Sequence, residues 1–164
     1  MRPNSSTDEH ETRFEPQGDP VFLDSEAVID IHERELAESG GLAGFKDRNL
    51  VESAVMAPQN VRYYERGDLV DVAATYLYHI AKNHGFTDGN KRTGYIACLT
   101  FLALNGIDLG APPCLELATL AVAASRLDKS GLAGILRQLV VLRMEDPDYY
   151  SGTHARHESP RRST

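Results

Sequence analysis

Residues 84–92 bring together most of the side chains that could carry out chemistry. They include a histidine, a carboxylate, two glycines, an amide, a lysine and an arginine, where a loop meets the start of a predicted helix. A helix N-terminus presents unpaired N–H groups and the positive end of the helix dipole, so it attracts anions. Lys91 and Arg92 add positive charge at this end, where the dipole disfavours cations. The pattern predicts a phosphate site, with Gly89 allowing the anion to approach the backbone closely.

Two residues of the same stretch could act on a bound phosphate. Asp88 could hold Mg²⁺, because this ion is commonly bound by one or two carboxylates together with phosphate oxygens. His84 is the nearby side chain best suited to take up a proton near neutral pH. Together they predict a site for phosphoryl or adenylyl transfer, with Phe86 turned inward as the anchor of the loop. Structural interpretations stay open, since His84 could end the preceding helix and Asp88 could cap the next one.

The elements that must position these residues have the apolar spacing of helices nearly throughout. The first helix is predicted from the N-cap Asp24 to Gly40-Gly41, and the second from about Asp47 to Met56, stopped near Pro58. The remaining helices are predicted at about 68–82, 90–104, 114–125 and 130–144. The fourth helix carries no charge after its first turn, so it is expected at the centre of an all-α bundle of about six helices. His32 and His79 lie on predicted helices without partners at ligand spacing, which favours structural roles for both.

Length and composition limit the other possibilities. A chain of 164 residues with 41% apolar and 25% charged residues is typical of one globular domain. We expect this domain at about residues 21–145, between disordered tails at 1–20 and 146–164 that are rich in Pro, Ser, Thr, Gly and charge. The net charge of −7 disfavours nucleic acid as a direct partner. Two isolated cysteines and the lack of a signal peptide or membrane span predict a cytoplasmic protein.

The stretch resembles the H-x-F-x-[DN]-[AG]-N-K-R-T signature of the Doc (death-on-curing) toxins, which belong to the Fic/Doc superfamily. It reads His84-Gly85-Phe86-Thr87-Asp88-Gly89-Asn90-Lys91-Arg92-Thr93. The first helix ending in Gly-Gly and the segment Phe101 to Gly106 are also similar to Doc toxins, so the resemblance covers about residues 21–144.

This resemblance implies the all-α Fic fold and transfer of a phosphoryl group from ATP, with Mg²⁺, to a protein hydroxyl. The family's substrate is elongation factor Tu, so arrest of translation is expected. Carried over residue by residue, His84 is the general base and Asp88 holds Mg²⁺. The residues implied to bind the nucleotide phosphates are Gly89, Asn90, Lys91 and Arg92.

Two positions depart from the wider Fic signature, H-P-F-x-[DE]-G-N-G-R-x-x-R. Lys91 replaces its second motif glycine and Tyr95 replaces its second arginine. Those Fic residues orient ATP for AMP transfer, so the departures favour phosphoryl transfer. Gly89 matches Fic proteins, which keeps adenylylation as the first alternative. An inactive Fic-like binding module is the second.

The resemblance also implies partners. No glutamate is followed by Gly or Asn, as the inhibitory helix of many Fic proteins requires, so a separate Phd-like antitoxin of a type II toxin-antitoxin system is expected to inhibit the chain. The polar, β-prone segment Asn60 to Gly67 is predicted as a loop or small hairpin, forming the flap on which the superfamily lays its substrate as an added strand. The flap residues expected to face the target protein are Arg62, Tyr63, Tyr64 and Arg66.

Overall fold

The computed structural model describes residues 11–149, so the outer parts of both predicted tails, residues 1–10 and 150–164, lie outside the described residues. Within this range the chain forms six α-helices and no β-sheet, which confirms the all-α prediction. The helices are α1 Ser25–Ser39, α2 Arg48–Tyr64, α3 Leu69–Asn83, α4 Asn90–Leu104, α5 Pro113–Ala123 and α6 Lys129–Glu145. In the described part of the chain, we find no helix with the length and apolar character needed to span a membrane.

Aspartate side chains start four of these six helices by accepting hydrogen bonds from backbone N–H groups of the first turn. These groups would otherwise have no partner, and such a cap contributes about 1 kcal/mol to stability. The four N-cap residues are Asp24, Asp47, Asp68 and Asp128. The starts of α1 and α2 are therefore local properties of the sequence, as predicted.

Helix α3 is the most buried element, and it packs against α2, α4, α5 and α6. The sequence predicted α4 as the central helix, but α4 packs against α1, α3 and α5 and exposes Leu104 near its end. Gly94 allows the backbones of α3 and α4 to come close, because a Cβ added there would lie 2.9 Å from the carbonyl oxygen of Leu77. This contact fixes the end of α3 relative to the start of α4, where the predicted site lies.

The second helix continues eight residues beyond the predicted end at Met56, so the prediction of a loop or hairpin at Asn60 to Gly67 is wrong. Pro58 lies inside the helix, where a proline costs roughly 3 kcal/mol because it lacks an N–H and crowds the preceding turn. The helix continues because one apolar stripe runs through the proline and is buried in the core. Its members are Val51, Ala54, Val55, Pro58 and Val61.

The segment before α1 packs on the helices, which corrects the prediction of a disordered tail for residues 11–20. Phe14 is 8% exposed, its N–H donates to Asp68 Oδ2 at 2.8 Å, and its carbonyl accepts from Leu69 N at 2.9 Å. The carbonyl of Thr12 accepts a hydrogen bond from Arg137 Nη1 at 2.7 Å. Contacts with residues distant in sequence hold this segment in place. The polar composition of the segment itself could not indicate these contacts, which is why it was predicted to be disordered.

Candidate active site

The predicted site lies where α3 ends and α4 begins. His84 occupies the C-cap of α3 in the left-handed region, at φ 50°, and Gly89 occupies the N-cap of α4 at φ 76°. Gly89 has no side chain to cap the helix, so the N–H groups of the first turn of α4 face outward for an anion. His84 thus ends a helix, as the structural interpretation held, and still faces the site. Asp88 does not occupy the N-cap.

One cavity of about 490 Å³ gathers the residues predicted to do chemistry. Its wall is completed by residues distant in sequence, notably Lys46 before α2 and Leu120 on α5. The predicted site residues that line it are His84, Asp88, Gly89, Asn90, Lys91 and Arg92. The arrangement offers helix N–H groups, three cations, a carboxylate and an imidazole around one space.

The Asn90 side chain is already occupied by the loop itself. Its Oδ1 accepts from the N–H of Phe86 at 3.0 Å, and its Nδ2 donates to the carbonyl of Phe86 at 3.0 Å. The two bonds close the loop onto the first turn of α4. The backbone N–H of Asn90, in the first turn of α4, has no partner within the helix.

Phe86 lies beneath the loop, 1% exposed, with its ring between two other rings. The His32 ring stacks on it with centroids 3.8 Å apart and planes 10° apart, and the Phe45 ring lies 5.4 Å away. His32 is buried and lies 2.8 Å through Nε2 from the carbonyl oxygen of Asp88, which can only accept, so Nε2 is the donor. Sequence reasoning gave His32 a structural role; the residue positions the motif loop, and nothing in its local sequence points to the loop.

The Asp88 carboxylate is exposed and held by two backbone N–H groups. Gly89 N donates to Oδ1 at 2.7 Å, and Leu42 N lies 3.3 Å from Oδ2. The N–H of Gly89, followed by that of Leu42, lowers the pKa of Asp88, so the carboxylate stays ionised at neutral pH. An ionised carboxylate has about four acceptor positions, so lone pairs remain for a metal ion.

The two cations of the first turn differ in their surroundings. Arg92 Nη2 donates to the carbonyl of Gly40 at 3.0 Å, which ties α4 to the end of α1. Lys91 is exposed, and no ion pair involves it within residues 11–149. Both side chains line the cavity. Because Arg92 is bonded to Gly40, Lys91 is the one more able to change its position to meet a ligand.

The segment after α1, residues 41–47, runs beside the motif loop. Phe45 and Phe86 form an isolated antiparallel bridge, flanked by bonds from Thr87 N to Gly44 O at 2.9 Å and from Lys46 N to Gly85 O at 2.9 Å. Phe45 and Phe86 are thus a non-hydrogen-bonded pair, in which the N–H and C=O groups of each residue point away from the other residue. The backbone of Phe45 therefore faces outward beside the cavity.

The residues predicted to form the flap lie elsewhere. Arg62, Tyr63 and Tyr64 belong to the last turn of α2, and Arg66 follows it, next to the start of α3. The motif follows the other end of α3, whose fifteen residues span about 22 Å. Arg62 bonds to Glu15 at 2.7 Å and to the carbonyl of Gly67 at 3.0 Å. It therefore joins the end of α2 to the N-terminal segment and to the residues just before α3. The flap prediction is therefore wrong for these four residues.

Comparison with known proteins assigns the family. The profile described as "Fic/DOC family" matches residues 22–102. The chain is also 36% identical to "Protein kinase doc" of Escherichia phage P1 over 118 residues, which cover 71% of this chain and 94% of that protein. The chain belongs to the Fic/DOC family. It is also similar to "Toxin Doc" of Mycolicibacterium smegmatis (strain ATCC 700084 / mc(2)155), at 43% identity over 76 residues, which cover 44% of this chain and 57% of that protein.

The matched Fic/DOC range contains the whole candidate site except its α5 wall. It includes His32, the segment 41–47 and the motif from His84 to Thr93. The packed N-terminal segment that contains Phe14 lies before residue 22, outside the range that the Fic/DOC profile matches.

Proposed function

We propose that this Fic/DOC protein is an ATP-dependent protein kinase of the Doc type, which transfers the γ-phosphoryl group of ATP to a protein hydroxyl. The convergence of His84, Asp88, Lys91 and Arg92 on one cavity at the N-terminus of α4 carries the proposal. The name of the phage P1 relative, a protein kinase, supports it. By the family resemblance the acceptor protein is elongation factor Tu, so transfer would arrest translation and the chain would act as a toxin.

The start of α4 is suited to hold the phosphates that react. The N–H groups of Asn90, Lys91 and Arg92 lie at the positive end of the helix, and Gly89 adds no side chain to obstruct the anion. The Lys91 ammonium and the Arg92 guanidinium would stabilise the negative charge on the transferred group. Preorganised charges of this kind are worth several kcal/mol of transition-state stabilisation, roughly 3 to 4 per donor.

The residues present fit Mg²⁺. Asp88 is an ionised, exposed carboxylate on the cavity wall, and no group of three or more His, Cys, Asp or Glu side chains within residues 11–149 could hold a metal by itself. One carboxylate combined with phosphate oxygens is an arrangement that Mg²⁺ accepts. When bound, the ion would screen the charge of the phosphates.

His84 is proposed as the general base. Its imidazole would take the proton of the acceptor hydroxyl while the hydroxyl oxygen forms a bond to the γ-phosphorus. The bond from that phosphorus to the bridging oxygen breaks, and ADP leaves. The position of His84 at the end of α3, exposed and on the cavity wall, allows a protein substrate to reach it.

The segment 41–47 replaces the incorrectly predicted flap as the proposed edge for the substrate. The outward-facing backbone of Phe45 could pair with an extended substrate segment, which would lie beside the cavity that His84 lines. A Phd-like antitoxin is the partner proposed to block the site, by the family resemblance and by the toxin name of the mycobacterial relative.

Adenylylation is the second candidate, favoured by Gly89, which matches the Fic signature. The two reactions differ in the phosphorus that is attacked. Lys91 fills the space that a glycine leaves open in adenylylating relatives, so Lys91→Gly should lose phosphoryl transfer. Combined with Tyr95→Arg, one turn further along α4, it could gain weak AMP transfer.

The deciding experiment uses the purified chain with Mg²⁺, elongation factor Tu and ATP labelled at either the γ- or the α-phosphorus, with a bacterial lysate as a second source of acceptors. Label transferred from the γ-position alone supports the kinase, and label transferred from the α-position replaces it with the adenylyltransferase. ATP that protects the chain against heat without any transfer would indicate an inactive binding module, since a ligand at 100 times its Kd adds about 2.7 kcal/mol.

A further inference from the structure

A second cavity, of about 310 Å³, adjoins the first between α4 and α5. The two cavities share Lys91, Arg92 and Leu120. The second is completed by Tyr95, Glu116 and Thr119. Tyr95 lies four residues after Lys91 on the same face of α4, about 6 Å further along the helix axis. A ligand with its phosphates at the start of α4 could therefore extend past Lys91 and Arg92 into this space.

Tyr95 is a buried residue whose hydroxyl lacks a partner. It is 9% exposed, and its hydroxyl is buried with no hydrogen bond to any residue in 11–149. Burial raises the pKa of Tyr95 to about 12, with the negative charge of Glu116 acting in the same direction, so the phenol keeps its proton. The other deeply buried tyrosine hydroxyl, that of Tyr76, both donates to and accepts from the backbone of Leu23 at 2.9 Å. A buried hydroxyl without a partner costs roughly 1–3 kcal/mol, and a ligand group recovers this cost when the side chain turns its hydroxyl, which has almost no accessible surface, toward the cavity.

The chemistry of the second cavity differs from that of the first. Beyond Lys91 and Arg92, its wall carries the Glu116 carboxylate and no further cation, so this part of the cavity suits an uncharged ligand group that can form hydrogen bonds. The Tyr95 hydroxyl can donate one hydrogen bond, and the Glu116 carboxylate can only accept. Thr119 already donates to the carbonyl of Leu115 at 2.7 Å, so toward a ligand it can only accept. One donor and two acceptors match a group with neighbouring hydroxyls.

We propose that the cavity of Tyr95, Glu116 and Thr119 binds the ribose of the nucleotide whose phosphates lie at the start of α4. Tyr95 and Glu116 hydrogen-bond the sugar hydroxyls, and Lys91 and Arg92 mark the boundary between the sugar and the phosphates. The proposal rests on the proposed function, because it assumes that ATP is the ligand. It adds to that function the residues that select a ribonucleotide.

The test is equilibrium binding by calorimetry in the presence of Mg²⁺, with ATP, 2′,3′-dideoxy-ATP and inorganic tripolyphosphate. Tyr95→Phe removes the hydroxyl alone and should leave the free protein as stable or slightly more stable, since it removes an unpartnered polar atom. Glu116→Gln changes an exposed side chain. Tyr78→Phe, a half-buried tyrosine of α3 that lines neither cavity, is the matched control.

The wild type should bind ATP roughly three- to tenfold more tightly than the dideoxy nucleotide, the range expected for one or two hydrogen bonds. Tyr95→Phe and Glu116→Gln should reduce this preference and leave the affinity for tripolyphosphate unchanged. Tyr78→Phe should behave as the wild type.

Equal affinities of the wild type for ATP and dideoxy-ATP would overturn the proposal. So would a preference that survives both Tyr95→Phe and Glu116→Gln, or an equal loss of ATP and tripolyphosphate binding in those variants. In each of these cases the wild type still binds ATP, so the proposed function would stand without the ribose site. Failure of the wild type to bind either ATP or tripolyphosphate would instead contradict the proposed function, and the ribose site with it.

Discussion

At the residue scale, several polar side chains around the site are used on the protein's own backbone. Asn90 bonds to Phe86, Arg92 to Gly40, and His32 to Asp88. These bonds hold the loop in one conformation before any ligand arrives, which is how a preorganised site gains strength. The groups left for chemistry are the imidazole of His84, the ammonium of Lys91, the remaining N–H groups of Arg92, the remaining lone pairs of the Asp88 carboxylate and the N–H groups of α4.

His84→Ala should abolish transfer while the protein stays folded. A general base contributes roughly 10² to 10⁴ in rate, and His84 is exposed, so its loss removes little packing. The measurement is label transfer to the protein substrate together with thermal unfolding. Wild-type rates in the variant would remove His84 from the mechanism, and an unfolded variant would show that its role as a helix end dominates.

His32 offers a test of how the loop is positioned. His32→Phe keeps a stacked ring on Phe86 but leaves the Asp88 carbonyl without its donor, whereas His32→Gln can restore a donor at a similar reach. We expect His32→Phe to raise the Mg²⁺ concentration at half-maximal activity about tenfold, since the loss of a hydrogen bond to this part-buried acceptor costs roughly 1 kcal/mol or more. Rescue by His32→Gln would identify the hydrogen bond as the cause. Identical midpoints for all three proteins would limit His32 to packing.

At the scale of elements, the site depends on pieces far apart in sequence that meet at one end of the bundle. Helix α3 supplies His84, α4 supplies the turn proposed to bind phosphate, and the segment after α1 closes against both. Gly41 is where this segment meets the motif, because a Cβ added there would lie 2.8 Å from Asp88 Oδ2, at φ +129°. The double glycine that ends α1 therefore has two roles, and only the first could be predicted from the helix pattern.

Gly41→Ala should displace the Asp88 carboxylate and weaken Mg²⁺-dependent nucleotide binding by about tenfold or more, the usual scale for disturbing the surroundings of a metal ligand. Gly40→Ala is the matched control, because Gly40 also has positive φ but has no atom within 4 Å of an added Cβ. Calorimetric titration of each variant with ATP, in the presence of Mg²⁺, measures the difference in affinity between the two variants. Equal losses in the two variants would mean that backbone strain, rather than contact with Asp88, is responsible.

The position of α2 leads to a separate expectation. Arg66→Ala, at the far end of α3, should change neither ATP binding nor transfer to the protein substrate. Steady-state kinetics with both substrates would check this. A selective loss of protein transfer would restore the substrate role that the sequence first indicated for this segment.

At the scale of the whole molecule, a buried ion pair joins the N-terminal segment, α3 and α6. Asp68 is fully buried, accepts from Phe14 N, and pairs with Arg137 Nη1 at 2.6 Å. Burial alone would raise the pKa of Asp68, but the hydrogen bonds from Arg137 and from the backbone outweigh it and lower the pKa. Because the folded pKa lies below the unfolded value, near 3.9, Asp68 contributes stability at neutral pH that is lost as the pH falls below about 4.

Asp68→Asn should therefore destabilise the protein by about 3 kcal/mol at pH 7, because Arg137 then keeps only the more exposed carboxylates of Glu11 and Asp71 as ionic partners. The difference from the wild type should shrink as the pH falls below about 4, because the unfolded wild type then takes up a proton at Asp68 that the folded protein binds only at lower pH. Asp24→Asn is the control, because Asp24 is an exposed N-cap and asparagine caps equally well. Urea unfolding at both pH values measures the effect. A constant difference across this range would contradict the assigned role of the Asp68 charge.

Features with local causes could be predicted from the sequence. Helix α4 begins at Asn90 and ends at Leu104, as predicted, because a left-handed glycine precedes it and Asn105-Gly106 follows it. The motif also predicted that the site lies at the start of α4. Its positive charges are unfavourable at the N-terminus of a helix unless an anion binds there.

Features that depend on burial between distant segments could not be predicted in this way and are seen only in the folded chain. Helix α2 passes through Pro58 because its apolar stripe is buried in the core, and the segment around Phe14 is ordered by Asp68 and Arg137 rather than by its own composition. The same holds for the segment 41–47, whose place beside the motif comes from backbone bonds to Gly85 and Thr87. The free energy of such contacts depends on residues far away in sequence, so no local pattern could reveal them.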